Sequence, residues 1–377
     1  MFQNDAAKKI LKKTVFRVAS VVNQLIPKQD KKIMFYCNNW GVRDNAKYLL
    51  DFMIEHHVND SYTIICGVEK SCYQDENIQN VHYTGLIGAI WEYFTARHVF
   101  YTFGQIPIQP ARAQKVIHMT HGSPLKKLIN PSKSYFTSIL ATSDFFVDKV
   151  KESYYCKEEQ VVVCGYPRTD YMYRSDVVYN FNQYQKVILW MPTFRNSDYL
   201  AMQDSDREEP LIPLFSPDDW EELNACLKEH KYKLILKLHP HQNLTAYEKV
   251  EKSNLSIYSH FDFLAEGYDL YRLLGQTDAL ITDYSSVCYD YLLKEKPIAY
   301  TIDDMNHYIR GFAYDNPMDL MPGVLIQNKK EFYSFLNSLN EEKDVYFEQR
   351  KKMNRKVNQF QDGENCMRIL KLSQINL

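Results

Sequence analysis

At 377 residues, 45% hydrophobic and 24% charged, the chain has the length and composition of a globular protein with two domains of ordinary size. Its net charge of −2 gives the whole molecule no nucleic-acid signal, and 12 glycines against 29 tyrosines exclude collagen-like and disordered classes. The eight cysteines, at 37, 66, 72, 156, 164, 226, 288 and 366, show no CxxC spacing. They read as free thiols in a reducing compartment, not as a disulfide framework.

The charge is unevenly spread. Residues 1–32 carry eight basic and two acidic residues, so this segment is +6 and the remainder −8. Within it, Ile10, Leu11, Val15, Val18, Val22, Leu25 and Ile26 recur at helical spacing among Lys8, Lys9, Lys12, Lys13 and Arg17, and Pro27 ends the run. This is the pattern of a basic amphipathic helix that lies on anionic lipid; the alternative is a helix packed on its own domain with solvated lysines. No apolar run has transmembrane length and no signal-peptide h-region is evident. The expected location is cytoplasmic, peripheral on the inner face of the cell membrane.

From residue 33 strand-like and helical runs alternate. Strands are expected at 33–37, 62–66, 98–101, 115–119, 139–142 and 161–164, with helices between, as at 45–56 and 87–96. A tyrosine-rich polar stretch, 170–185, interrupts the alternation. It resumes with strands at 187–191, 233–238, 279–282 and 298–301 and helices at 218–230, 270–275 and 286–294, and ends in helical runs near 329–339, 342–358 and 364–373. The expected fold class is α/β, with two doubly wound, Rossmann-like domains: 33–175, preceded by the 1–32 segment, and 176–377, with the last helices crossing back. No GxGxxG or GxxxxGK[ST] occurs, which argues against a dinucleotide dehydrogenase or a P-loop enzyme.

Several strand ends carry chemistry. The run Lys115-Val-Ile-His-Met-Thr-His-Gly-Ser-Pro-Leu-Lys-Lys127 takes an apolar strand into a turn. Open α/β sheets bind ligands at the carboxyl ends of their strands. There Gly122 permits close backbone approach, Ser123 and Pro124 shape the turn, and His121 has the chemistry of a general base near neutral pH. His118, inside the strand, reads as a core histidine. A second strand ends in Leu238-His-Pro-His241. His239 suits a phosphate ligand or an acid/base role, Pro240 forms the turn, and Lys237 reads as structural. A metal site is not expected, because the two histidine pairs lie in separate domains and no acidic partner has ligand spacing.

A third strand opens into Thr282-Asp-Tyr-Ser-Ser286, followed by Asp290. Amides and hydroxyls of Ser285 and Ser286 at a helix start suit a diphosphate, although Asp283 or Ser285 could equally be an ordinary cap. Arginines follow two further strands, in Gly165-Tyr-Pro-Arg-Thr-Asp170 and Pro192-Thr-Phe-Arg195, and Arg310-Gly311 adds another. Guanidinium forks match phosphate oxygens.

Taken in order, these motifs resemble the CDP-glycerol glycerophosphotransferase family, the primases and polymerases of teichoic acid and related capsule polymers. The family's Trp-His-Gly-Thr-Pro-Leu-Lys stretch reads here Thr120-His-Gly-Ser-Pro-Leu-Lys126. Gly-Tyr-Pro-Arg-x-Asp, Pro-Thr-Phe-Arg, Leu-His-Pro and Thr-Asp-Tyr-Ser-Ser follow at 165–170, 192–195, 238–240 and 282–286. Asp304, Tyr308, Arg310, Gly311, Met321-Pro-Gly323 and Asp44-Asn-Ala-Lys47 also match. The departures are Thr120 for tryptophan and Ser123 for threonine, both beside His121.

The resemblance implies a GT-B fold with an interdomain cleft faced by His121 and His239, the CDP donor held by the C-terminal domain and the acceptor on the N-terminal side. It implies transfer of glycerol phosphate from CDP-glycerol to a hydroxyl of a membrane-linked acceptor, with release of CMP. His121 would act as base. His239, Arg168, Thr193, Arg195, Thr282, Asp283, Ser285, Ser286, Asp290, Arg310 and Gly311 would hold the donor. No tightly bound cofactor is expected; Mg2+ is compatible with such chemistry but not required by the sequence. The expected partners are a CDP-activated alditol, a lipid-linked or polymer acceptor and the membrane surface, with no nucleic acid; the oligomeric state is not legible. CDP-ribitol as donor, or a GT-B nucleotide-sugar glycosyltransferase or epimerase, are the alternative enzyme readings, and a non-catalytic membrane scaffold is the third.

Overall fold

The computed structural model describes residues 3–38, 41–73, 77–128, 135–197, 202–206, 212–244 and 247–377, with the side chains of residues 3–13 and of Asn38, Asn196 and Met202 outside the description. The chain forms two compact units. Met1–His121, Pro131–Asp170 and Asp362–Leu377 make the first, and Gly122–Asn130 with Tyr171–Gln361 the second. The division falls between Asp170 and Tyr171, where the sequence placed it at 175/176. The residues just after His121, Gly122–Asn130, belong with the second unit.

The first unit is built on seven parallel strands: β1 Gln29–Asn38, β2 Thr63–Val68, β3 Val81–Thr84, β4 Ala96–Tyr101, β5 Lys115–His118, β6 Ser138–Ala141 and β7 Val161–Val163. Their order is β3-β2-β1-β4-β5-β6-β7. Order reverses between β1 and β4, so the loops leaving these two strands diverge and open a crevice at the carboxyl edge. The register Phe35↔Phe100 and Phe100↔Ile117 aligns the ends of β1, β4 and β5. Phe35, Phe100 and Ile117 join a core completed by Leu49 and Met53 of helix Asn45–Glu55 and by Ile369 and Leu370 of helix Asn365–Ser373. That last helix is tied in by Asp170, whose carboxylate accepts the Asn365 and Cys366 amides at 3.0 and 2.7 Å, two donors otherwise left open at a helix start.

In the second unit β8 Lys186–Met191, a two-strand ribbon of β9 Asn196–Ser197 and β10 Met202–Gln203, β11 Tyr232–Lys237, β12 Val250–Glu251, β13 Leu255–Tyr258, β14 Ala279–Thr282, β15 Ile298–Thr301 and β16 Val324–Ile326 follow in turn. The main sheet runs β12-β13-β11-β8-β14-β15-β16, parallel except for the short edge strand β12. Order reverses between β8 and β14. Strands β11, β13, β14 and β15 are buried along their whole length, as strands inside a mostly parallel sheet covered on both faces are. Trp190, Leu234, Ile257 and Ile281 pack against Leu223 and Leu227 on one helix and Phe332 and Leu336 on another.

The short strands β3, β13 and β16 were not expected from sequence. Helix Gln3–Leu25 forms the expected N-terminal element. Among the described residues no helix is long and apolar enough to cross a membrane. All eight cysteines are free thiols.

Candidate active site

In the first unit the ends of β1, β4 and β5 converge on His121. The turn leaving β5 is strained: Thr120 adopts φ +53°, a left-handed conformation that costs a non-glycine residue roughly 1–2 kcal/mol, and Gly122 follows at φ +149°. Its neighbours hold it there. Asn45, at the first turn of the helix after β1, donates to the Thr120 and Met119 carbonyls at 2.9 and 3.3 Å, and its own oxygen accepts the Arg168 amide. The Arg168 guanidinium donates to the His121 carbonyl and to Asp44, both at 2.8 Å. The Thr120 hydroxyl donates to Tyr166 at 3.0 Å. His121 is left exposed, its ring stacked on Phe103 after β4 at 5.4 Å, with the Arg43 guanidinium 4.9 Å over the same phenyl ring.

His118 lies behind this turn among Tyr101, Phe136 and Tyr154, and its Nδ1 accepts the Thr120 amide. Burial first, then the neighbouring His121 charge, push its pKa down to about 3, so it is neutral and structural. Arg168 was expected at the donor phosphates. Here it is 4% exposed, and its terminal nitrogen Nη1 is committed to the carboxylate and carbonyl that shape the His121 turn.

In the second unit a charged cluster sits where strand order reverses. Asp283, directly after β14, accepts the Thr193 amide and hydroxyl, each at 2.9 Å, and Arg195 Nη1 at 2.9 Å. Arg195 also grips Asp304 through Nε and Nη2 at 2.5 and 3.0 Å. Burial opposes the arginine's charge, but Asp283 and Asp304 outweigh it and hold its proton well above the usual range. Asp304 accepts the Tyr284 hydroxyl, and Tyr284 packs with Tyr308 and Phe312. The Asp204 amide donates to the Arg195 carbonyl, and the Asp204 carboxylate receives Arg310 Nη1 at 3.3 Å. Lys126 forms an antiparallel bridge with Phe312, flanked by hydrogen bonds from Lys127 N to Gly311 O and from Ala313 N to Leu125 O.

His239 belongs to the same set. Its ring lies 4.9 Å from Phe194, and Gln242, one turn on, accepts the Arg195 amide. Nδ1 of His239 accepts the His241 amide at 3.1 Å, so in the neutral ring the hydrogen sits on Nε2, as a donor. Thr193, Arg195, His239, Asp283, Arg310 and Gly311 are thus brought together. Thr282 and Asp290 are buried in internal bonds, to the Met191 carbonyl and from the Tyr271 hydroxyl. Ser285 and Ser286 are partly exposed, and Pro240 forms the turn between the two histidines. Among the described residues no group of three or more His, Cys, Asp or Glu could hold a metal ion.

Sequence reasoning missed Phe103, Asp204, Tyr284 and Lys126 as parts of these clusters. It noted Asp44 and Asn45 only as a family-like stretch, though their place just after β1, where strand order reverses, was a usable signal.

Residues 18–373 match the model of the CDP-glycerol:poly(glycerophosphate) glycerophosphotransferase family. The chain belongs to this family. It is 26% identical to a teichoic acid ribitol-phosphate primase of Bacillus spizizenii over 64% of this chain and 60% of the primase. It is 23% identical to a teichoic acid glycerol-phosphate transferase of Staphylococcus aureus over 97% of this chain and 98% of that protein. The solved wall teichoic acid polymerase TagF superposes with a TM-score of 0.71 at 21% identity, over 99% of this chain and 97% of the solved chain. A kitacinnamycin glycotransferase superposes at 0.52 and 10% identity over 92% of this chain and 98% of its own. The fold is GT-B, and the family's activity, glycerophosphotransfer in cell-wall polymer synthesis, is the one implied by the ordered motifs.

Proposed function

We propose that the chain transfers glycerol phosphate from CDP-glycerol to a hydroxyl of a membrane-linked acceptor, releasing CMP, in the synthesis of teichoic acid or a capsule-type polymer. The observation that carries this reading is the family match over residues 18–373, which takes in both clusters. The acceptor hydroxyl gives its proton to His121, its oxygen bonds to the phosphorus bearing glycerol, and the phosphorus–oxygen bond to CMP breaks with the electron pair leaving on CMP. A base near neutral pH suits so weak a nucleophile, and fixed cations and N–H donors stabilise the leaving phosphate. His239 Nε2–H and Arg310 are the proposed donors to it, with the Ser285 and Ser286 hydroxyls beside them. Arg168 and Arg195 act at one remove, by fixing the turns. The reaction needs no resident cofactor in this scheme.

Relatives named for ribitol phosphate support a second reading, with CDP-ribitol as donor. A product-mass assay with each donor and a lipid-linked disaccharide separates them. His121→Ala should abolish transfer while CDP-glycerol binding persists; substantial residual turnover refutes the base assignment.

The same reading places the enzyme at the inner face of the cytoplasmic membrane. On helix Gln3–Leu25, Val15, Val18, Val22 and Leu25 recur on one face and are 41–78% exposed, with Arg17 exposed beside them. The side chains of Lys8, Lys9, Lys12 and Lys13 lie outside the described residues. The helix end is fixed to its unit by Asn23, which donates to Gln109 and Gln114, so the apolar face is not needed to hold it. An apolar face within a +6 segment complements an anionic bilayer. Helix Leu86–Thr95 adds Ile87 and Trp91, one turn apart and 87% and 68% exposed. Val18→Glu with Leu25→Glu should abolish cosedimentation with anionic vesicles and spare turnover on a soluble acceptor analogue; unchanged cosedimentation overturns the anchor.

A further inference from the structure

We infer that Lys126 is a further cation of the second unit that ligates the donor's phosphate, and that it takes up a proton as the donor binds. This rests on the donor reading above and extends it to a residue not assigned there. Position comes first. The bridge to Phe312, with its two flanking backbone hydrogen bonds, pins Lys126 beside the Tyr284–Tyr308–Phe312 aromatic group. The charges that act most on it are those of Arg310, Asp283, Asp204 and Arg195.

The two arginines of the cluster already have protein partners. Arg195 has Asp283, Asp304 and Thr193. Arg310 donates to the Lys127 carbonyl and to Asp204. Among the described residues the Lys126 ammonium makes no hydrogen bond and no ion pair, although two carboxylates lie close enough to act on it. A partly buried ammonium without a partner holds its proton weakly. Burial first, then Arg310, push Lys126 down to about 8, while Asp283 and Asp204 pull the other way. An arriving phosphate supplies the missing counter-charge, raises the lysine's proton affinity and draws a proton from solvent onto Nζ.

The step is an acid–base equilibrium: one N–H bond forms, and a buffer molecule loses the proton. At pH 8 about half of the lysines are neutral before binding, so binding should take up about half a proton per donor. At pH 6.5 it should take up almost none.

The test is calorimetric titration of CDP-glycerol, CDP-ribitol and CDP in buffers of different ionisation enthalpy at pH 6.5 and 8. Wild type is compared with Lys126→Arg and Lys126→Met. Arginine stays charged at both pH values, so Lys126→Arg should bind while losing the proton uptake; Lys126→Met should bind at least tenfold more weakly. Tryptophan fluorescence and thermal melting report whether each variant is folded, and Lys126→Arg keeps the test open should the methionine variant fail to fold. Proton uptake unchanged in Lys126→Arg, or binding by a folded Lys126→Met within twofold of wild type, overturns the assignment and leaves the donor reading standing. Binding of CDP but of neither alditol donor overturns the donor reading, with Lys126 then judged on CDP. A wild type that binds none of the three overturns both.

Discussion

Replacing Arg195 by methionine should destabilise the second unit by about 4 kcal/mol before any substrate is added. Removing one partner of a buried ion pair costs roughly 3–5 kcal/mol, because the remaining charge stays buried. Arg195 meets the conditions for the upper part of that range. Its side chain is 9% exposed, and those of Asp283 and Asp304 are 0% and 1% exposed. The guanidinium makes five hydrogen bonds, three to these carboxylates and two to Thr193. Methionine fills the volume but leaves two carboxylates facing each other in a low-dielectric interior.

The loss should depend on pH. Without the arginine, each aspartate holds its proton to a higher pH in the folded than in the unfolded chain. Stability gained by such protonation is full at low pH and lost as pH rises through the folded value. The gap between variant and wild type should therefore narrow from pH 8 to pH 5. Urea unfolding followed by tryptophan fluorescence, to which the fully buried Trp190 on β8 contributes, measures both quantities. A cost below about 1 kcal/mol, or a gap that stays constant across that pH range, refutes the account of Arg195 as an internal charge clamp.

Three further outcomes follow from the same structure. Asn45→Ala removes two donors from the strained turn at Thr120 and should cost about 2 kcal/mol and lower turnover more than donor affinity; unchanged turnover in a stable variant would refute the turn-holding role. Burial, opposed by the Cys366 and Asn365 amides, pushes Asp170 up to about 6, so its ionisation weakens the fold as pH rises through that value. Asp170→Asn should therefore gain on wild type between pH 4 and pH 7, by about 2 kcal/mol in unfolding free energy, with little further change above pH 7, and a constant difference refutes it. Gly323→Ala places a Cβ 2.2 Å from the Ile298 carbonyl oxygen and should lower the unfolding midpoint by the equivalent of at least about 2 kcal/mol. An unchanged midpoint would mean that the β15–β16 contact is more yielding than its geometry indicates.

Much of this protein was legible locally. A buried parallel strand needs a continuous apolar run and a polar turn at its end, and both are properties of a few adjacent residues. That is why β5, β8, β11 and β14, and the histidines and aspartate that follow β5, β11 and β14, could be located from the chain alone. The same locality let the ordered motifs indicate the family and the Rossmann-like pair.

What the sequence could not supply was the commitment of each charge. Arg168 and Arg195 sit in turns of similar appearance, and both read as phosphate forks. Their partners, Asp44 and Asp304, lie 124 and 109 residues away in sequence and are brought in only by the fold. Only tertiary structure decided that these two arginines were already paired, and that Lys126, one residue in a familiar run, was not. An ion pair is set by distance in space and by burial, and neither leaves a period or a spacing in the chain.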